Sequence, residues 1–207
     1  MKDYRRQVRI PGILGGMGPY AHILLENNIL EINAKKFKAK KDSDYPIWIT
    51  ISATDIPNRT ESIINGKSTY CAQKIIKYCE KLNNAGADFI VIPCNTAHTF
   101  LSTIKKEINI PILNIMDITC EYICKNFPSA HNIGILATDG TIKADLYHKS
   151  LINRGLNPID FRNAPDIQKL VMDSIYSSEW GVKAMGNNVS EKVIDSITKS
   201  INLLIKQ

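Results

Sequence analysis

Short runs rich in Val and Ile alternate with helical patterns along this chain, and that alternation narrows its folds more than any other feature. The apolar runs are Val8–Leu14, Ile47–Ile51, Phe89–Ile92, Pro111–Leu113 and Ile133–Leu136. They read as strands buried on both faces. Between them, helical spacing covers Tyr20–Ala34, Thr69–Ala85, Thr99–Glu107, Met116–Lys125, Thr141–Arg154 and Gln168–Ser177. Strands alternating with helices predict an α/β fold with mainly parallel strands flanked by helices. Ligands of such sheets gather at the carboxyl ends of the strands. The residues just after each apolar run are therefore the first candidates for a site.

An internal repeat refines the architecture. Gly12-Ile13-Leu14-Gly15-Gly16-Met17-Gly18-Pro19 resembles Gly134-Ile135-Leu136-Ala137-Thr138-Asp139-Gly140-Thr141, 122 residues further on. Both read as strand, small-residue turn and helix. Two pseudo-symmetric half-domains are expected, residues 1–115 carrying Cys94 and residues 116–207 forming the second, with both turns around one cleft. Near the end, Asn188-Val189-Ser190-Glu191 offers a helix cap with a reciprocal Glu. Val189, Val193, Ile197, Ile201, Leu204 and Ile205 follow at helical spacing. By the repeat offset, the counterpart of Cys94 would fall beyond Gln207. The expectation is a shortened second half that lacks its last strands.

At 207 residues the chain is one domain or two small lobes, able to bury about 70% of its unfolded surface. No apolar run approaches the roughly 18 residues of a membrane span. Met1 to Arg9 is too polar for a secretory signal. Five cysteines, Cys71, Cys79, Cys94, Cys120 and Cys124, then read as free thiols in a reducing, cytoplasmic setting. The Cys120/Cys124 pair has helical spacing but no second pair to complete a zinc site, and no metal is expected. The net charge of +6 is moderate. Its densest cluster, Lys35 to Lys41, reads as a solvated helix end favoured by the dipole. A nucleic-acid patch is the alternative, but no binding signature accompanies it.

The chemistry concentrates in Phe89-Ile90-Val91-Ile92-Pro93-Cys94-Asn95-Thr96-Ala97-His98. Here a thiol arrives where a strand stops and a helix is expected to begin. Backbone N–H groups and the positive end of a dipole favour thiolate there. Such a cysteine can act as nucleophile or as base; a buried structural cysteine is the competing reading. Polar Asn95 and Thr96 directly after an apolar strand favour a site. His98 reads as a structural or supporting residue, since helix geometry points it away from Cys94. Gly15-Gly16-Met17-Gly18-Pro19 is a turn that lets backbone approach a ligand. Gly16 to Ala21 formally satisfies a dinucleotide fingerprint, but it lacks an acidic partner about 20 residues on. Asp55-Ile56-Pro57-Asn58-Arg59-Thr60 follows another strand, and Arg59 there could hold a carboxylate bidentately. Lys169 lies near the start of a helix, where a surface lysine is the alternative.

Together these residues resemble the aspartate/glutamate racemase family, and its aspartate racemase branch in particular. The matching pieces are Gly12–Pro19, Ile56–Thr60, Gly86-Ala87-Asp88 leading into Pro93–His98, Ile110–Ile112, Gly134–Thr141 and Gln168–Met172. The resemblance implies a pyridoxal-independent enzyme of two pseudo-symmetric α/β halves, which dimerises and uses no cofactor. Two cysteines would face each other across the α-carbon of an acidic amino acid, one removing the proton and the other returning one to the opposite face. It implies that Cys94 is the first cysteine and that Asn95 and Thr96 contact substrate. Arg59 and Lys169 would hold the carboxylates. The turns containing Met17 and Gly18, and Thr138 and Thr141, would supply donors. Family relatives include hydantoin racemases, maleate isomerases and arylmalonate decarboxylases; Arg59 and Lys169 favour aspartate.

The chemistry agrees with that resemblance. An amino-acid α-proton is feebly acidic, so preorganised donors and cationic clamps must stabilise the developing carbanion. The family's second motif, Gly-Cys-Thr-Glu, is not found before Gln207. This chain is therefore expected to be a racemase shortened at its C-terminus. The alternative is a catalytically inactive racemase-like protein that binds an acidic ligand or a partner.

Overall fold

A computed structural model describes residues 9–206; Val8 and Gln207, which fall in the expected first strand and at the chain end, lie outside the described residues. The fold is α/β, with two small parallel sheets flanked by helices. Contacts divide the chain into two compact units. The first holds residues up to Asn58 together with Ser68–Leu113; the second holds Arg59–Lys67 together with the residues from Asn114 onward.

In the first unit β1 (Pro11–Gly15) lies between β2 (Ile49–Ser52) and β3 (Phe89–Val91), all parallel. The register sets Gly12 beside Ile49 and Ile90. Ile13 and Leu14 are fully buried, as the continuous apolar run of a central parallel strand requires. The expected strand Pro111–Leu113 makes only a single bridge, Ile112 to Ile90. α1 (Pro19–Lys36) begins with a proline, suited to the first helical position, and ends on Lys35 and Lys36, where positive charge meets the negative end of the dipole. α3 (Ser68–Asn84) buries Cys71, Ala72, Ile75, Cys79 and Leu82, one stripe at helical spacing packed on the sheet. Each large apolar member of that stripe contributes about 1.5–3 kcal/mol. After β3, a 3-10 segment (Thr96–Phe100) precedes α4 (Leu101–Glu107).

In the second unit β4 (Asn132–Gly134) pairs in parallel with β5 (Asn157–Ile159). Its helices are α2 (Arg59–Ile64), α5 (Ile115–Asn126), α6 (Asp139–Lys143), α7 (Leu146–Ile152), α8 (Pro165–Tyr176), α9 (Val182–Met185) and α10 (Glu191–Leu204). Cys120, Ile135, Ala137, Ile142 and Leu151 form one core cluster. The single helix expected over Thr141–Arg154 is instead α6 and α7, separated where Asp145 adopts φ 52°, the left-handed region that Asp tolerates better than most residues. α10 is capped by Ser190, whose hydroxyl accepts from the Val193 N–H at 3.3 Å. With Ser190 as the cap, Glu191 is the first helical residue, so the expected reciprocal Glu contact is not formed. No helix among the described residues is long and apolar enough to cross a membrane.

Candidate active site

Parallel strands end on the same side, so in the first unit the segments after β1, β2 and β3 all leave one edge of the sheet. After β3 the chain carries Cys94, Asn95 and Thr96. The strand stops at Val91, and Cys94 N–H donates to Ile92 O at 2.7 Å in a tight bend. The α-helix expected to start directly after Cys94 is replaced by the 3-10 segment, with α4 beginning only at Leu101. This turn is shorter and its N–H groups less well aligned than a full α-helical terminus. Thr96, Ala97, His98 and Phe100 are buried, whereas Cys94 is only partly so.

His98 secures this bend. Its Nδ1 lies 3.0 Å from Cys94 O and its Nε2 3.3 Å from Leu113 O. A neutral imidazole has one proton to give, so only one of these carbonyls receives it. Burial lowers the His98 pKa from 6.5, although the carbonyl contacts act to raise it. The four other cysteines sit on helices, as the spacing predicted: Cys71, Cys79 and Cys120 are buried and Cys124 is partly so. Burial pushes the Cys79 thiol up to about 12, which removes it from thiolate chemistry near neutral pH.

The turn after β1 contains Met17, which is buried, and Gly18, where an added Cβ would meet open space among the described residues. The Met17–Gly18 peptide is cis, and Gly16 has φ 87°. Gly16 N–H donates to His22 Nδ1 at 3.3 Å. After β2, Asp55 accepts from Lys74 Nζ at 2.7 Å and from Tyr78 OH at 2.6 Å, which ties this segment to α3.

The second unit holds the other candidates. Arg59, read from sequence as a loop residue, is the first residue of α2 and is buried; its neighbour Thr60 places its hydroxyl 3.4 Å from Tyr176 OH. Thr138 caps α6: its hydroxyl lies 3.1 Å from Thr141 Oγ1 and accepts from the Thr141 N–H at 3.3 Å. Gln168 braces this turn by donating to Ala137 O at 3.0 Å and Asp139 Oδ1 at 2.8 Å. Beside it opens a cavity of about 440 Å³, floored by Phe161 and Met172 and rimmed by Asp139, Lys143, Arg162 and Lys169. Lys169 is 72% exposed and its ammonium pairs with Asp173 on the next turn at 2.5 Å. Arg162 is engaged by Asp160 at 3.0 Å and Asp145 at 2.9 Å. Asp160 is pushed up by burial, but the hydrogen bonds and charge of Arg162 more than offset this and hold it below its usual value. No cluster of His, Cys, Asp and Glu among the described residues could hold a metal ion.

The structure thus groups Met17, Gly18, Cys94, Asn95 and Thr96 in one unit, and Arg59, Thr138, Thr141 and Lys169 in the other. Two residues emerge that carried no sequence assignment of their own, His22 behind the glycine turn and Gln168 behind the Thr138 turn. Nothing in a lone helical His marks it from sequence; Gln168 was visible only as the neighbour of Lys169.

Residues 14–199 match the family described as Asp/Glu/Hydantoin racemase. The chain belongs to this family. It is 32% identical over 145 residues to the broad specificity amino-acid racemase RacX of Bacillus subtilis, an alignment spanning 70% of this chain and 61% of that relative. Among solved structures, it resembles a putative Asp/Glu racemase from Yersinia pestis, with a TM-score of 0.75, 24% identity and coverage of 96% of this chain and 81% of the other. It likewise resembles the Picrophilus torridus aspartate racemase, with a TM-score of 0.70, 24% identity and coverage of 96% and 75%. At that identity the structural likeness speaks for the fold.

Proposed function

We propose that this racemase-family chain takes part in cofactor-independent racemisation of an acidic amino acid, with aspartate the favoured substrate. The observation that carries the reading is the convergence, at one edge of the first sheet, of the glycine turn and the partly accessible Cys94 with Asn95 and Thr96 beside it. In this reading the Cys94 thiolate takes the α-proton, becoming a thiol, and the electron pair is delocalised into the α-carboxylate. Arg59 and Lys169 hold the two carboxylates, and Lys169 exchanges its Asp173 partner for substrate. The backbone of Met17 and Gly18, with Asn95, Thr96, Thr138 and Thr141, donates to the charge that develops. Inversion requires a second acid on the opposite face.

A second reading, an acidic-ligand binding protein without turnover, is favoured by one observation. Neither β4 nor β5 is followed by a cysteine at its carboxyl end. Aspartate of each hand, incubated with the protein in heavy water, separates the two by proton NMR. Loss of the α-proton signal that disappears in Cys94→Ala supports the thiol chemistry, and conversion of the enantiomers supports racemisation. Aspartate-dependent thermal stabilisation with no exchange supports binding alone, and neither effect refutes both.

The proposal extends to a homodimer in a reducing cytoplasm. Exposed Ile23, Leu24, Leu30 and Ile32 on α1 support the first, and the five free thiols support the second. Light scattering of the native protein and of Leu24→Asp tests the dimer; a monomeric native protein refutes it.

A further inference from the structure

We infer that His22 is a positioning residue that sets the shape of the Gly15–Gly18 turn, an inference that rests on the proposed function for its effect on turnover. Of the described side chains in α1, His22 is the one that is buried, at 5% exposure, while Tyr20, Ile23 and Leu24 around it are open to solvent. A helix whose one buried side chain is an imidazole uses that position for more than apolar packing. Burying such a ring is costly unless its polar atoms are matched. Nδ1 is matched by the Gly16 N–H, so it is the unprotonated acceptor and the neutral ring carries its proton on Nε2.

The steric fit is tight on both sides of the turn. A Cβ at Gly15 would stand 2.3 Å from His22 Cγ and 2.5 Å from Nδ1. A Cβ at Gly16 would stand 2.5 Å from both the backbone N and the carbonyl carbon of Ala53, whose N–H donates to Gly15 O at 3.2 Å. The two glycines are therefore threaded between the imidazole and the chain leaving β2. The ring's position, and its hold on Gly16 N, determine where the backbone of Met17 and Gly18 presents itself.

Two substitutions separate hydrogen bonding from bulk. Asn at position 22 can still offer an amide oxygen to Gly16 N–H, whereas Phe fills the space but offers no acceptor. In aspartate α-proton exchange, His22→Asn should keep kcat/KM within about three-fold of native. His22→Phe should lose about ten-fold, through kcat more than KM, as expected for donors used in the transition state. Equal rates for His22→Phe and native overturn the inference. Long-range proton–nitrogen NMR of the native protein gives a readout that needs no turnover. An unprotonated Nδ1 and a protonated Nε2 are expected, with a Gly16 amide that exchanges with solvent faster in His22→Phe but not in His22→Asn. A protonated Nδ1, or Gly16 amide exchange unchanged by His22→Phe, overturns the inference. A native protein that shows this tautomer yet exchanges no α-proton refutes the proposed function and leaves the turn assignment standing.

Discussion

Gly15→Ala puts the packing around the glycine turn to a quantitative test. The new methyl would lie 2.3–2.7 Å from three atoms of His22, well inside contact distance, so the ring or the strand must move. Overpacking of a close-fitted site costs about 1–3 kcal/mol. Displacing the ring also forfeits the Gly16 hydrogen bond, about 0.5–1.5 kcal/mol. Against this, replacing Gly in the unfolded chain returns about 0.4–1 kcal/mol. The balance is a loss of about 2 kcal/mol, or roughly 4–8 °C in Tm for a chain of this size. The two tryptophans make the measurement local, because Trp48 lies in the first unit and Trp180 in the second. In a Trp180→Phe background, Trp48 fluorescence during urea unfolding follows the unit that contains the turn. The control is a double-mutant cycle with His22→Ala, which empties the space the methyl needs. There Gly15→Ala should cost less than about 0.5 kcal/mol, giving a coupling of about 1.5–2 kcal/mol. A Gly15→Ala cost that is the same in both backgrounds would refute the packing argument.

Brief treatment of the native protein with iodoacetamide should modify Cys94 and Cys124, while Cys71, Cys79 and Cys120 react only after unfolding; peptide mass spectrometry reads this, and early labelling of Cys79 would contradict its burial. Because the His98 pKa is depressed on folding, its contribution is complete above the unfolded value near 6.5 and is lost as pH falls below it, by at most about 1.4 kcal/mol per pH unit. Urea midpoints between pH 7.5 and 5.5 should therefore fall more steeply for the native protein than for His98→Gln, and parallel profiles would remove His98 from the account. Phe161, fully buried under the second unit's cavity, should cost about 3–5 kcal/mol when replaced by Ala, as followed by Trp180 fluorescence in a Trp48→Phe background.

Where burial alone decides local structure, the chain was legible. β1 is a continuous apolar run because it is the middle strand, and α3 shows its inward stripe because one face packs on a sheet. Elements shaped by single backbone positions were not. Ile142, Leu146 and Tyr147 maintain an apolar pattern across Asp145, so nothing in the periodicity marks the left-handed residue that divides α6 from α7. β5 is only Asn157-Pro158-Ile159, too short for alternation, with a proline that lacks a ladder donor. In the candidate site, Cys94 was visible because a thiol and two polar residues end a strand-like run. The 3-10 geometry after it was not, since Thr96–Phe100 carries the same apolar signals as an α-helical turn. His22 escaped notice because its role depends on two glycines six and seven positions away, and a partner backbone after β2.

The short stretch Arg59–Lys67 belongs to the second unit although its flanks on both sides belong to the first. The polypeptide therefore passes from one unit to the other three times, and no single cut yields two self-sufficient pieces. A fragment beginning at Asn114 would be missing α2, the helix that packs on α6 with Arg59, Thr60 and Ser62 turned inward. Cleavage in the connecting peptides would strip a helix from its own core rather than release a lobe, so dissection by expression of halves would report damage instead of independence.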